Sequence, residues 1–419
     1  MKRRLLHGCA LLGGLALAAA PLAPTNAQDG SPHPLMTPEA ILAATANFQQ
    51  CLEALWPLAH KRGVSRQTFE AAMSGLEPEL KIMELLDAQP EFTKPVWEYL
   101  DILVNDERVQ QGRELLAAHR ATFDAVEKAF GVDRHVITAI WGIESKYGVA
   151  GGERPVLRST ATLACVGRRQ AYFRDELLAT LEILERGDVP AADLKGSWAG
   201  AFGPTQFMPT AFKRYAVDFD GDGKRDVVNS IPDVVASTAN NLKRTGWQPG
   251  ATWGYEIQLP QGFNYLLADR SIQKSLGEWE RLGVRRVAGK PFPRPADQAY
   301  LLLPAGARGP AFLAIANFRV IMRYNPSESY ALAVGHLADR IRGGDPLMQP
   351  WPRDAAMLSR TERIEMQQRL AALGFYQGES DGRLGAGTRT AVRDFQARAG
   401  LIPDGFATVA LLNRLRRMR

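Results

Sequence analysis

A chain of 419 residues is longer than one hydrophobic core usually serves, so two or more domains are expected. Its 46% hydrophobic and 23% charged residues are ordinary for a soluble globular protein. The formal charge of +6 comes without a patch in which basic and aromatic residues alternate, so no nucleic-acid partner is expected.

Residues 1–27 open with Lys2, Arg3 and Arg4, continue through an apolar stretch from about Cys9 to Leu22, and reach Thr25-Asn26-Ala27 before Gln28. That is the pattern of a secretory signal peptide, too short for a spanning helix. Without it the chain carries 48 basic and 45 acidic side chains, a charge of +3. Cys9 falls before most of the apolar stretch, in the discarded part, and no later segment could cross a bilayer, so no membrane anchor is expected. Two cysteines remain, Cys51 and Cys165. An even count in an oxidising compartment favours a disulfide; the alternative is two small buried apolar residues.

Residues 28–37 read as a flexible leader. From Pro38 to about Tyr147 helical spacing dominates, as in Phe48, Cys51, Leu52 and Leu55. The apolar run Val136-Ile137-Thr138-Ala139-Ile140-Trp141 suits a buried helix and leads to Ile-Glu-Ser-Lys-Tyr-Gly at 143–148. An acid closing such a run is costly to leave charged, so Glu144 is expected to hold its proton toward neutral pH. Cleavage of a glycosidic bond needs such an acid, because the leaving oxygen must receive a proton. A second amphipathic helix is predicted over 175–185, with Leu177, Leu178, Leu181 and Leu184 on one side.

The segment 200–209, Gly-Ala-Phe-Gly-Pro-Thr-Gln-Phe-Met-Pro, is a punctuated loop carrying one amide, Gln206. Asp218-Phe-Asp220-Gly-Asp222-Gly then meets the first half of an EF-hand loop, with oxygen ligands at positions 1, 3 and 5 and glycine at 6. Lys224 can offer its carbonyl, and Asp226 stands at position 9. Position 12 is Asn229 rather than glutamate, and Asp233 lies further on. Hard oxygens in a flexible loop suit calcium in a structural role; a solvated Asp-Gly turn is the other reading. Between about 253 and 323 alternation replaces helical spacing, which predicts a small β-containing subdomain inserted in a helical body. Helix resumes over 330–341, and 345–358 reads as a linker.

From 359 the pattern of helix, Gly-containing turn and Asp-Gly occurs twice, at Asp381-Gly382 and Asp404-Gly405. Leu373-Gly-Phe-Tyr-Gln-Gly378 and Phe395-Gln396 accompany it. The basic end, Arg414, Arg416, Arg417 and Arg419, reads as a solvated helix face.

Taken in order, the segments around Glu144, Lys195-Gly-Ser197-Trp-Ala-Gly200, Gln206 and Tyr324-Asn325-Pro-Ser-Glu-Ser-Tyr330 resemble the B-type lytic murein transglycosylases, over about Phe48 to Gly344. Residues 359–415 resemble a small three-helix peptidoglycan-binding module. The resemblance implies a mainly α chain. A lysozyme-like catalytic domain would span 38–344, with a peptidoglycan-binding domain over 359–419. It implies Glu144 as the catalytic acid, with Ser197, Gln206, Tyr324, Asn325 and Tyr330 lining the groove for glycan strands; Tyr99 matches more loosely. It also places the last acidic metal ligand at Asp233, beside Asp218, Asp220, Asp222, Lys224 and Asp226. After Ala239-Asn240 the family often carries an aromatic, where this chain has Asn241. The expected activity is periplasmic cleavage of the MurNAc–GlcNAc bond, of the Gram-negative type, with 1,6-anhydro ends and no catalytic cofactor. A lysozyme-type hydrolase would usually need a second carboxylate, for which Glu153 and Asp175 are near in sequence. A non-catalytic wall-binding scaffold is the alternative of a different class.

Overall fold

The computed structural model describes residues 34–87 and 94–418. The 1–27 segment and most of the 28–37 leader lie outside the described residues, as does Arg419. What is described of the leader is structured: Pro34–Met36 forms a 3-10 turn, and the Thr37 hydroxyl caps Pro38–Ala46 by accepting from the Ala40 N–H at 3.2 Å. The chain divides into two units that do not follow chain order. Of the described residues, one contains 34–87, 110–249 and 323–326, the other 94–109, 250–322 and 327–418.

The first unit is helical. Phe48, Leu52, Phe69, Leu163, Phe173, Leu177 and Leu181 form one apolar core, to which Val156–Cys165 and Gln170–Arg186 contribute facing stripes. The helix predicted over 175–185 thus begins a turn and a half earlier. Cys51 and Cys165 are disulfide-bonded, with Cα atoms 6.0 Å apart across a separation of 114 residues. Closing so long a loop removes much freedom from the unfolded chain. Strand β1 (Arg154–Pro155) pairs with β2 (Lys195–Gly196), a two-residue antiparallel ladder.

The second unit holds the predicted β-containing subdomain. Strands β3 (Gly254–Gln258), β4 (Lys274–Ser275), β5 (Arg285–Arg286), β6 (Gln298–Leu302) and β7 (Ala311–Ala314) form an antiparallel sheet in the order β4-β6-β7-β3-β5. Ile257, Leu301, Leu313, Leu276 and Trp279 fill its core. Glu328–Arg342 follows, capped by the Ser327 hydroxyl on the Tyr330 N–H.

The stretch 345–358 is fastened rather than loose. The Glu256 carboxylate accepts from the N–H groups of Met348 and Gln349 at 3.0 and 2.8 Å, and Arg353 makes two bonds to Asp101, at 2.6 and 2.9 Å. The C-terminal module then forms three helices, Arg360–Ala372, Ala386–Arg398 and Val409–Arg416, around Met366, Leu370, Val392, Phe395, Leu412 and Leu415. Its duplication has a physical content. Gln367 accepts from the Gly382 N–H at 2.7 Å and donates to Asp381 at 3.3 Å. Gln396 does the same with Gly405 and Asp404, both at 2.8 Å. Each Asp-Gly turn is therefore latched by one buried glutamine.

The module is also bound to the sheet side of its unit. Glu328 is buried and accepts from Arg270 Nε at 2.6 Å and from Arg389 of the module. Arg393, buried too, pairs with Asp269 at 2.9 Å, and Asp404 accepts from the Ala307 N–H at 2.9 Å. At Gly306 the approach is so close that a Cβ would lie 2.5 Å from the Asp404 carboxylate. Burial alone would raise the Glu328 pKa, but Arg389 and Arg270 hold it below the ordinary carboxylate range.

Candidate active site

Glu144 is the penultimate residue of Arg134–Ser145, whose start is capped by Asp133 accepting from the His135 N–H at 2.8 Å. The helix is buried from Val136 to Gly142 and emerges at Ile143 and Glu144, so its apolar body anchors a half-buried carboxylate. Beyond it, Lys146, Tyr147 and Gly148 all adopt positive φ, at 50°, 59° and 93°. Two consecutive non-glycine residues in the left-handed region store strain next to the acid, a placement common at functional sites. This turn reverses the chain, and the Gly148 N–H donates to the Ser145 hydroxyl at 2.8 Å.

The 200–209 loop is a tight hairpin tip. Phe202 and Phe207 exchange two backbone hydrogen bonds of 2.9 Å, and both rings are buried. Gly203 is required there, because a Cβ would lie 2.3 Å from the Val227 carbonyl oxygen. The three successive carbonyls at the tip are each taken by a different side chain. Gln206 donates to the Gly203 oxygen at 3.0 Å, Ser145 to that of Pro204 at 2.5 Å, and Tyr324 to that of Thr205 at 2.5 Å. Ser145 thereby ties the end of the acid's helix to the loop, one residue from the acid itself.

Gln206 is half-buried with φ 52°, and its amide N–H groups also reach the Gly151 carbonyl at 2.8 Å. Both its side-chain bonds use the nitrogen, so the amide oxygen has no protein donor among the described residues. Tyr324 is buried and meets the Phe207 ring edge-on at 6.2 Å. Burial first, and the nearby negative charge of Glu144 second, hold its hydroxyl protonated well above the usual tyrosine range. Asn325 is buried with its side-chain oxygen unpartnered among the described residues. A buried acceptor without a donor is costly unless something else supplies one. The Ser197 hydroxyl accepts from the Ala201 N–H at 3.1 Å and shapes the turn entering the loop. Glu144, Ser145, Ser197, Gln206, Tyr324 and Asn325 all belong to the first unit. Tyr99 and Tyr330 belong to the second, 7% and 1% exposed. Asn241 is buried within the helix Ile231–Arg244, so that position presents no open face.

Three contributors escape sequence inspection. The Thr238 hydroxyl bonds that of Thr205 at 3.1 Å and steadies the loop from the helix behind it. Tyr147 folds its ring over Gly142. Glu176, buried in the helix Gln170–Arg186, accepts from both the N–H and the hydroxyl of Thr210, at 2.9 and 2.8 Å. That pair fixes the start of Pro209–Tyr215, directly after the loop. Of the two acids offered for a hydrolase, Asp175 is engaged by Arg62 at 2.6 Å on the surface, and Glu153 is exposed.

In the acidic loop, one carboxylate oxygen from each of Asp218, Asp220 and Asp222 lies within 4.8 Å of the others, all exposed. Three hard anionic donors converging on one point fit a hard divalent cation. Asp226 instead caps the next turn, accepting from the Val228 and Asn229 N–H groups at 2.9 Å. Asp233 is buried and accepts from Phe219 and Asp226 N–H at 2.7 and 2.8 Å, pinning the loop's two ends together. Burial, despite those amides, raises its pKa, and the charge of Asp220 adds to the rise.

Comparison with known proteins assigns the chain. Residues 47–339 match the transglycosylase SLT domain, and 359–415 a peptidoglycan binding domain. The chain belongs to the transglycosylase SLT family and is a peptidoglycan lytic transglycosylase. Among its relatives, SltB3 from Pseudomonas aeruginosa, solved in complex with NAG-anhNAM-pentapeptide, is 50% identical with TM-score 0.85, covering 88% of this chain and 99% of that one. Membrane-bound lytic murein transglycosylase B of Escherichia coli (strain K12) is 29% identical over 324 residues, 74% of this chain and 86% of that protein. The Escherichia coli Slt35 structure in complex with calcium is 27% identical with TM-score 0.59, covering 73% and 97%. Among the described residues no helix is long and apolar enough to cross a membrane.

Proposed function

We propose that the enzyme works in the periplasm, exported by residues 1–27, and cleaves the MurNAc–GlcNAc bond with Glu144 as its one catalytic carboxyl. Glu144 donates its proton to the glycosidic oxygen as the bond to the anomeric carbon breaks. As carboxylate it then takes the proton of the muramic C6 hydroxyl, whose oxygen bonds to the anomeric carbon and closes a 1,6-anhydro ring. No water is consumed and the glutamate ends protonated again. The observation that carries this reading is the set of loop carbonyls held by Ser145, Gln206 and Tyr324 around the end of the acid's helix. Ser145 ties the helix end next to Glu144 to that loop, while Asp175 is committed elsewhere. A held internal nucleophile outcompetes water through proximity.

In this reading the amide oxygen of Gln206 and the orphaned Asn325 oxygen accept from N-acetyl N–H or hydroxyl groups of the glycan. Tyr324 serves chiefly to hold the loop, and Ser197 shapes the groove beside it. Asp218, Asp220 and Asp222 would hold a structural calcium, supported by Lys224, Asp226 and Asp233. Its charge would relieve their mutual repulsion. The test is mass spectrometry of muropeptides released from sacculi. Wild type should give anhydro ends, and Glu144→Gln should lose about 10² to 10⁴ or more in rate with its melting temperature unchanged. Reducing ends would make it a hydrolase, and an active Glu144→Gln would remove the assignment.

A further inference from the structure

The described arginines of the basic end, Arg414, Arg416 and Arg417, are exposed as expected of a solvated face, but they differ in what they meet. Arg416 is occupied by Glu365, 2.6 Å away, whereas Arg414 and Arg417 line a cavity of about 410 Å³. The cavity lies within the second unit, where the module meets Ala305, Arg308 and Pro352. Its volume falls in the range of small-ligand sites, roughly 300–1,000 Å³. Leu401, Phe406 and Leu411 give it apolar walls, and three arginines converge on it. Asp404, the acid in its lining, is already engaged by Gln396, by the Phe406 N–H and by the Ala307 N–H. Arg308 is paired with Asp354 at 2.7 Å. Arg414 donates one N–H to the Ala399 carbonyl, and Arg417 makes no side-chain hydrogen bond among the described residues. Two guanidiniums with open donors above apolar walls select a small anion carrying alkyl groups; a planar carboxylate matches their fork.

We propose that this cavity binds the free carboxyl end of a peptidoglycan peptide stem, with Arg414 and Arg417 taking the carboxylate and the apolar wall taking the terminal methyl groups. The proposal rests on the peptidoglycan reading above but concerns recognition of the peptide, not cleavage of the glycan. Because Ala305, Arg308 and Pro352, outside the module, complete the cavity, the site exists only while the module is docked on them.

The test uses the full-length protein and a synthetic stem pentapeptide ending in D-Ala-D-Ala, with its C-terminal amide as control, by calorimetric titration. The acid should bind saturably and more weakly as salt rises. The amide, and the variant Arg414→Ala/Arg417→Ala, should bind at least roughly tenfold more weakly, the scale of losing one charged pair. Arg417→Ala alone is the second variant should the double one melt early. Equal binding of acid and amide, wild-type binding by the variants, or displacement by peptide-free glycan would overturn the proposal. Release of anhydro muropeptides by the same wild-type preparation is scored separately, so an absent peptide site with intact turnover sinks this inference alone.

Discussion

Glu328 is the point at which the docking of the C-terminal module can be weighed. Its side chain is 7% exposed and meets Arg270 and Arg389, which are 41% and 35% exposed. Breaking a fully buried pair costs about 3–5 kcal/mol, because the survivor is left charged in a poor solvent. Exposed pairs contribute about 0–1 kcal/mol. Here the survivors of Glu328→Gln are two arginines that can regain water, so the cost should fall between, at about 2–3 kcal/mol. Arg389→Ala leaves Glu328 with Arg270 still beside it and should cost about 1–2 kcal/mol by the same interpolation. For a unit of 150–250 residues each kcal/mol moves the melting temperature by about 2–4 °C, giving a drop of about 5–10 °C for Glu328→Gln. The Glu328 pKa is depressed in the fold, so its contribution is complete above the unfolded value, about 4.3, and disappears as pH falls through the lower folded value. Calorimetric melts of wild type, both single variants and the double variant, at neutral pH and near pH 3, are the assay. The double-mutant cycle should show a coupling of at least about 1 kcal/mol at neutral pH that shrinks in acid. Additivity within about 0.5 kcal/mol at neutral pH would refute the reasoning.

Deleting residues 359–419 should lower the melting temperature and reduce cleavage of short soluble glycans as well as of sacculi, since it strips counter-charges from Glu328 and Asp269; loss confined to sacculi would mean that the module acts only as a tether. Asp220→Asn/Asp222→Asn should abolish the rise in melting temperature that calcium gives wild type, and a wild type indifferent to calcium and chelator would leave the loop a simple turn. His336 is buried, and burial, with Arg340 adding, lowers its pKa from 6.5 to about 4. Its neutral form therefore stabilises the fold fully above about pH 6.5, and about 3 kcal/mol should be lost as pH falls to 4. His336→Leu should flatten the pH dependence of melting across that window, and an unchanged slope would refute the assignment.

Much of the fold was legible because it rests on period. The 3-and-4 spacing around Phe48 and the alternation after Trp253 marked the helical body and the sheet. The disulfide was expected from an even cysteine count in a chain whose first residues read as a signal peptide. Glu144 stood out because an acid closing an apolar run contradicts its surroundings, and it does lie where a buried helix emerges. What the sequence hid depends on contacts between distant residues. Nothing in Ser145 or Tyr324 alone says that each will take a neighbouring carbonyl of one hairpin tip. Asp233 matched the position of a metal ligand, yet both its oxygens hold backbone amides, a role only the loop's closure reveals. The stretch 345–358 has a linker's composition, but Glu256 and Asp101 fasten it from far upstream.

The bonds that Glu328, Asp269 and Ala307 make to the module bear on how such chains can be recombined. A three-helix wall-binding unit copied in from another gene would bring its own hydrophobic core and its own Gln–Asp-Gly latches, and would fold. Unless it also brought arginines at the places of Arg389 and Arg393, it would set an apolar or acidic face against two partly buried carboxylates. The hybrid would express as two folded pieces that do not close on each other. Shuffling of this module is therefore constrained at a few charged positions that its own stability does not require, and those positions must change in step with residues 61 and 124 places upstream.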